Sequence, residues 1–239
     1  MARTLAAMPA FVDAIVVVDD ASRDATSAAA LAVGDPRVRV VRHAVNRGVG
    51  AAIATGYREA LALGADVLAV MAGDAQMHPD DLPALLAPVL LGAADYAKGD
   101  RLGHPARREM PLLRRVVGRA LSWLTARATG FATLSDSQCG YTALSARAAS
   151  RLDLDALWPR YGYPNDLLGQ LARARCRVVD VPVRPVYRDE RSGLRAWHVA
   201  TILWLIARAA WQGRALSRAA DDAPQLAPSV GRAGPSRAA

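Results

Sequence analysis

Residues 68–79 read LAVMAGDAQMHP. An apolar run stops at Ala72-Gly73-Asp74, and a polar loop containing Pro79 follows. This is how a parallel strand ends when it delivers a carboxylate to the carboxyl edge of a sheet, the edge at which open α/β sheets bind ligands. A second apolar run, Ala14 to Val18, ends the same way in Asp19-Asp20-Ala21-Ser22. Two strands depositing acids on one edge point to a site for a nucleotide and a divalent metal.

Working outward, the pattern alternates strand and helix through about residue 100. Ile15–Val18 reads as a strand, Ser22 to Val33 as a helix capped by Ser22, and Arg37 to Val41 as a β-branched strand. Asn46-Arg47-Gly48-Val49-Gly50 is a loop opening the alanine-rich helix Ala51–Leu63, and Val67–Met71 is expected as the central strand. A helix from Asp80-Asp81 to Leu91 and a short strand at Tyr96-Ala97-Lys98 follow. Helices of this length between strands imply βαβ units and a mostly parallel sheet. From Arg101 the character changes: residues 101–127 hold seven arginines and one acid, Glu109, around the helical stripe Leu112, Leu113, Val116, Val117, Ala120, Leu121 and Leu124. Ser135 to Tyr141 is a polar loop, Leu167–Arg173 a helix, Arg177–Val181 a late strand, and Ala196–Ala210 an apolar helix in a stretch holding Trp197, Trp204 and Trp211. The expected organisation is one α/β domain over 1–193, an amphipathic helix facing a membrane or packing partner over 194–217, and a disordered tail over 218–239. The chain opens on what reads as the tail of a helix, where a doubly wound sheet would place a strand first, so the first strand is expected to be missing.

The chain has 239 residues, 52% of them hydrophobic, and a formal charge of +8, which together exclude a disordered protein and favour an anionic partner. Cys139 and Cys176 form neither a disulfide framework nor a zinc site, and the four histidines show no metal-ligand spacing. No apolar run reaches the ~18 residues of a spanning helix. Aromatic content of 5% and the lack of a nucleic-acid motif argue against a nucleic-acid partner.

Asp74 can hold a divalent cation for a nucleotide diphosphate, or can simply order its loop. Asp19 and Asp20 can accept hydrogen bonds from a base or ribose, or cap the next helix. The Asn46–Gly50 loop offers backbone N–H groups at a helix start, without a dinucleotide fingerprint. Asp136 is a general base or a turn residue. Asn165-Asp166 reads more naturally as a helix N-cap. Arg188 and Arg191 suit phosphate or a solvated loop. The arginine-rich and tryptophan-rich segments suit a membrane interface or ordinary packing.

Seven segments in order, VVVDDASRDAT (16–26), NRGVGAA (46–52), VMAGDAQMHPDDL (70–82), AKGDR (97–101), MPLLRRVVGRALSWLT (110–125), SDSQCGY (135–141) and VPVRPVYRDERSG (181–193), resemble family 2 glycosyltransferases of the GT-A fold. The nearest subgroup is the polyprenyl-phosphate sugar transferases, the group of dolichyl-phosphate mannose synthase. The resemblance spans roughly residues 5–215. It implies a Rossmann-like sheet flanked by helices and a reaction moving a hexose from UDP-glucose or GDP-mannose to a polyprenyl phosphate, with inversion and with Mg²⁺ or Mn²⁺. It places Asp19 and Asp20 at the nucleoside, Asp74 at the metal, Gln76, Arg191 and Ser192 at the phosphates, and Asp136 near the acceptor; Asn46 and Gly48 are expected to join the nucleotide-sugar contacts, and whether Asp136 or Asp166 is nearer the acceptor stays open. It also implies a protein peripheral to the cytoplasmic face of the membrane. Two departures stand out: Ala72 replaces the first carboxylate of the family's Asp-x-Asp motif, and nothing in residues 1–11 matches its opening strand and Pro-x-x-Asn-Glu loop. A non-catalytic nucleotide-sugar-binding remnant, or an enzyme acting on a polysaccharide or protein, are the alternatives.

Overall fold

The computed structural model describes residues 1–132, 134–186 and 196–221. Its elements run α1 (Ala2–Ala6), β1 (Ile15–Asp19), α2 (Thr26–Leu31), β2 (Val38–Arg42), α3 (Val49–Ala62), β3 (Val67–Val70), a 3-10 turn (Pro79–Asp81), α4 (Leu82–Leu90), β4 (Tyr96–Asp100), a 3-10 turn (Pro105–Glu109), α5 (Leu112–Thr129), β5 (Thr142–Ser145), α6 (Ala146–Ala149), α7 (Tyr163–Arg173), β6 (Val178–Pro182) and α8 (Ala196–Asp221). The α/β class is as expected. The last helix runs four residues past the boundary drawn from sequence at 217, and residues 222–239 of the expected tail lie outside the described residues.

The sheet departs from expectation in two ways. It is divided into a parallel pair, β1-β2, and a four-stranded sheet in the order β3-β5-β4-β6. The larger sheet is mixed, since β5 runs antiparallel to both β3 and β4 while β4 and β6 are parallel. β5, unread in the sequence, is interior, and β3, expected to be central, is an edge strand. Residues 1–14 form no strand, and β1 and β3 each carry one edge that pairs with no described strand. Ala69, in mid β3, is exposed. The two sheets are joined by packing instead. Helix α3 contacts both β1 and β3, and Met8 and Val12 pack against the apolar clusters of both sheets.

β1 buries Ile15, Val17 and Asp19 in alternation, while β4 is buried at all five positions because β5 and β6 flank it and α4 covers it. Helix α2 is shorter than the 22–33 segment predicted. Ser22 does not cap it: its N–H donates to Asp19 Oδ1 at 2.8 Å, and Asp24 Oδ1 takes the Thr26 N–H at 3.1 Å, so the helix begins only there. Helix α7 starts earlier than predicted. Gly162, at φ 100°, turns the chain into it, which a residue with a Cβ does only under strain. Asn165 and Asp166 consequently lie inside the first turn, buried, and are not N-caps.

Candidate active site

Because β3, β4 and β6 run in one direction and β5 in the other, one edge of the larger sheet collects four chain segments. They are the 71–78 loop after β3, Asp100-Arg101 at the end of β4, the 135–141 loop before β5, and 183–186 after β6. A cleft of about 40 Å³ lined by Gln76, Arg101, Gly140, Tyr141 and Arg184 sits among them, and a neighbouring one of about 230 Å³, lined by Arg3, Thr4, Ala75, His78 and Asp80, shares Met77 and Val186 with it.

Asp74 is exposed in the first loop; its Oδ1 accepts the Gln76 N–H at 3.0 Å, and Oδ2 has no hydrogen-bond partner among the described residues. Ala75 is held at φ 61°, a left-handed conformation that non-glycine residues seldom adopt. No cluster of three or more metal-ligating side chains occurs among the described residues. Asp74 therefore fits a cation only as one ligand of an ion whose other ligands are phosphate oxygens and water, which suits magnesium.

Asp136 is buried, and its carboxylate is filled. Arg101 donates from Nε to Oδ2 at 2.8 Å, from its backbone N to Oδ2 at 3.2 Å and from Nη2 to Oδ1 at 3.1 Å, and the Gln138 N–H reaches Oδ1 at 3.2 Å. Burial works to raise the Asp136 pKa, but the Arg101 charge and hydrogen bonds outweigh it and hold the carboxyl below its ordinary value. A carboxylate so engaged is a weak base and a strong orienter of Arg101.

The loop carrying Asp136 is pinned from every side. Lys98 Nζ donates to the Cys139 carbonyl at one end, and the Ser135 N–H donates to Asp180 Oδ2 at the other. Lys98 and Asp180 are register partners across β4 and β6, so one cross-strand pair grips both ends. The Ser137 N–H donates to Ser122 Oγ of α5 at 2.8 Å, and Gln138 Nε2 donates to Asn165 Oδ1 of α7 at 3.2 Å. Asp180 Oδ1 and Asn165 Nδ2 are buried without a hydrogen-bond partner among the described residues. Burial, with the Asp100 charge nearby, pushes Asp180 up to about 6, and burial pushes Lys98 down. Lys98, Arg101 and Asp180 were not singled out by sequence reasoning as site residues. The signal available was that Lys98 is the chain's one lysine, set in the short strand that ends at Asp100.

The end of β1 is built differently. Asp19 Oδ2 accepts from the Ser27 hydroxyl and from Arg42 Nη1 at 3.2 Å. With the Ser27 bond foremost and the Ser22 N–H next, its pKa falls to about 2. Asp20 accepts the Arg47 N–H at 2.8 Å, the Gly48 N–H at 2.7 Å and His43 Nδ1 at 2.7 Å. A carboxylate only accepts, so His43 Nδ1 donates to Asp20, while Nε2 lies 3.0 Å from Thr55 Oγ1. Asn46 Nδ2 donates to the Asp20 carbonyl at 3.1 Å. The structure thus brings Asp20, Asn46 and Gly48 onto one another. The glycines of this loop serve close approach. A Cβ on Gly48 would lie 2.4 Å from the Pro159 carbonyl, and one on Gly50 would lie 2.0 Å from that of Trp158. The start of α3 is covered by this 158–159 segment, with the Ala51 N–H bonded to Pro159 O at 3.1 Å, and is not open to an anion.

Asp166 lies away from these groups in hydrogen-bond terms: it accepts the Trp158 N–H at 2.7 Å and a bond from Arg208 of α8. Arg191 and Ser192 lie outside the described residues.

Comparison with known proteins adds the following. The family model described as "Glycosyl transferase family 2" matches residues 2–134. The chain is 33% identical over 186 residues to the undecaprenyl-phosphate mannosyltransferase of Micrococcus luteus, covering 73% of this chain and 72% of that protein. It is 28% identical over 192 residues to the UDP-N-acetylglucosamine–dolichyl-phosphate N-acetylglucosaminyltransferase of Methanococcus voltae, covering 74% and 76% respectively. The glucosyl-3-phosphoglycerate synthase of Mycobacterium tuberculosis, solved with Mn²⁺ and UDP-glucose, superposes with a TM-score of 0.65 at 23% identity over 87% of this chain and 73% of that one. At that identity the superposition speaks for the fold.

Proposed function

The chain belongs to glycosyl transferase family 2, and on that premise we propose that it moves a hexose from a nucleotide sugar to a polyprenyl phosphate, with inversion, at a membrane surface it contacts peripherally from the cytoplasmic side. The observation that carries this reading is a single sheet edge where Gln76, Arg101 and Arg184 line one cleft, with Asp74 two residues before Gln76 in the same loop and Asp136 paired with Arg101. Relatives named for undecaprenyl- and dolichyl-phosphate support the acceptor class.

In this reading the nucleoside lies at the end of β1, where Asp19, Asp20, Asn46 and Gly48 form a pre-ordered rim. Asp74 and Gln76 face the diphosphate, as would Arg191 and Ser192. Asp74 would hold Mg²⁺ or Mn²⁺, which when bound neutralises charge developing on the leaving diphosphate. An oxygen of the acceptor phosphate attacks the anomeric carbon, the bond to the diphosphate oxygen breaks, and the nucleoside diphosphate departs. A phosphate nucleophile is already ionised at neutral pH, so little proton abstraction is needed. Asp136 then serves by orienting Arg101, whose guanidinium charge attracts the acceptor phosphate.

The test is transfer from radiolabelled UDP-glucose and GDP-mannose to undecaprenyl phosphate with Mg²⁺ or Mn²⁺, repeated with chelator. Metal-dependent lipid product is expected, and Asp74→Asn should nearly abolish it. Full activity of Asp74→Asn, or in chelator, overturns the metal assignment. A donor-dependent thermal shift with no product overturns the transferase reading in favour of a binding protein.

A further inference from the structure

Helices α5 and α8 pack on each other through Leu121, Ile202 and Ile206. Their outward sides invert the usual surface pattern. On α5 the exposed positions from Leu112 onward are Leu112, Leu113, Val116, Arg119, Ala120, Trp123 and Arg127. At 3.6 residues per turn these fall within an arc of roughly 120°. On α8, Trp197, Ala200, Leu203, Trp204, Ala207, Trp211, Arg214 and Ala215 are exposed, again within roughly 120°. The large side chains are well out in solvent: Leu113 is 76% exposed, Trp123 65% and Trp211 70%. Four of the seven residues of the sequence-predicted α5 stripe, Leu112, Leu113, Val116 and Ala120, therefore point away from the protein, while Leu121 and Leu124 point in. Apolar surface of this extent on neighbouring helices marks an interaction site.

Charge decides the occupant. Residues 112–129 and 196–215 contain no Asp or Glu, so both outward arcs carry arginine without a carboxylate. A second copy of the chain would set Arg119, Arg127 and Arg214 against their equivalents, like against like. An anionic surface that also admits leucine and tryptophan satisfies both features. No described helix is long and apolar enough to cross a membrane, so contact is with the interface.

We propose that the outward faces of α5 and α8 form a docking surface for an anionic lipid bilayer, with Leu112, Leu113, Val116 and Trp123 on one helix and Leu203 and Trp211 on the other entering the headgroup layer. This rests on and sharpens the membrane contact proposed above, and it needs no donor or acceptor to be tested. The full chain would be sedimented with vesicles of phosphatidylcholine alone and with added phosphatidylglycerol, at low and high salt. The expected result is binding to the anionic vesicles that weakens with salt. The variants Leu112→Gln/Val116→Gln/Trp123→Gln and Leu203→Gln/Trp211→Gln, all at exposed positions, should each lower the partition coefficient about tenfold or more, with melting temperature unchanged. Equal sedimentation with and without phosphatidylglycerol, variants that bind like the parent, or concentration-dependent dimerisation abolished by the same variants would overturn the proposal. Vesicle binding by a chain that makes no product would leave the docking surface standing and the transferase reading fallen.

Discussion

The end of β1 and the β4–β6 edge both bury carboxylates, and they treat them in opposite ways. At β1, both oxygens of Asp19 and of Asp20 accept hydrogen bonds, from Ser22, Ser27, Arg42, Arg47, Gly48 and His43. At β4–β6, Asp180 keeps one oxygen without a partner among the described residues, beside a lysine whose pKa burial lowers. The first region is saturated, and its acids keep their charge because the fold supplies donors. The second is under-satisfied, and an unmet polar atom in a buried setting costs stability unless function retains it. The difference separates a rim whose carboxylates are fully bonded within the protein from a platform whose polar capacity is only partly spent there.

The comparison can be broken most forcefully at Gly50. Its absent Cβ is what lets the Trp158 carbonyl close over the rim, so Gly50→Ala should cost about 3 kcal/mol or more, read as a collapse of the melting transition. Next is Asp19→Ala, which strands several donors and should cost about 2–3 kcal/mol by urea denaturation at neutral pH. Because Asp19 titrates near 2 when folded and near 3.8 otherwise, its contribution is present above the higher value. That contribution fades as pH falls through the lower one, and the variant should lack this acid-side loss. Asp180 has the opposite sign. Its folded pKa near 6 exceeds the ordinary 3.8, so folding is favoured at pH 4 and loses that advantage as pH rises through 6. Asp180→Asn, which still accepts from Ser135, should flatten this slope and raise stability at pH 7 by about 1 kcal/mol. A neutral-pH loss instead would show that the Asp180 charge is needed by Lys98. The smallest effect is expected at Gly56, also on α3 but beyond the crowded rim. A Cβ there would meet Val18 Cγ2 at an ordinary 3.6 Å, so Gly56→Ala should stabilise by about 0.5 kcal/mol.

The saturated region was also the legible one. A β-branched run ending in two acids, and a glycine-bearing loop before an alanine-rich helix, are local patterns, so the strand, the loop and the helix were readable there, although the bonds joining Asp20 to Asn46 and Gly48 were not. The under-satisfied region depends on partners far apart in sequence. Arg101 meets Asp136 and Lys98 meets Asp180 only through strand register, and β5, four residues reading Thr-Ala-Leu-Ser, offers no alternation because both its faces are buried. The divided sheet was not foreseen either. The apolar run at 67–71 reads as interior, and which side of it lacks a neighbour is a property of pairing. At Asn165 and Asp166 a local rule misled, because Gly162 starts the helix sooner than a polar pair would.

The chain's one lysine is fully buried in β4. In the folded state no lysine amine meets an acylating reagent, a cross-linker or a lysine-specific protease. Reaction at Lys98 therefore counts openings of the sheet that carries the candidate site, and its rate is a clock for that one event, readable by mass in a mixture without any introduced label.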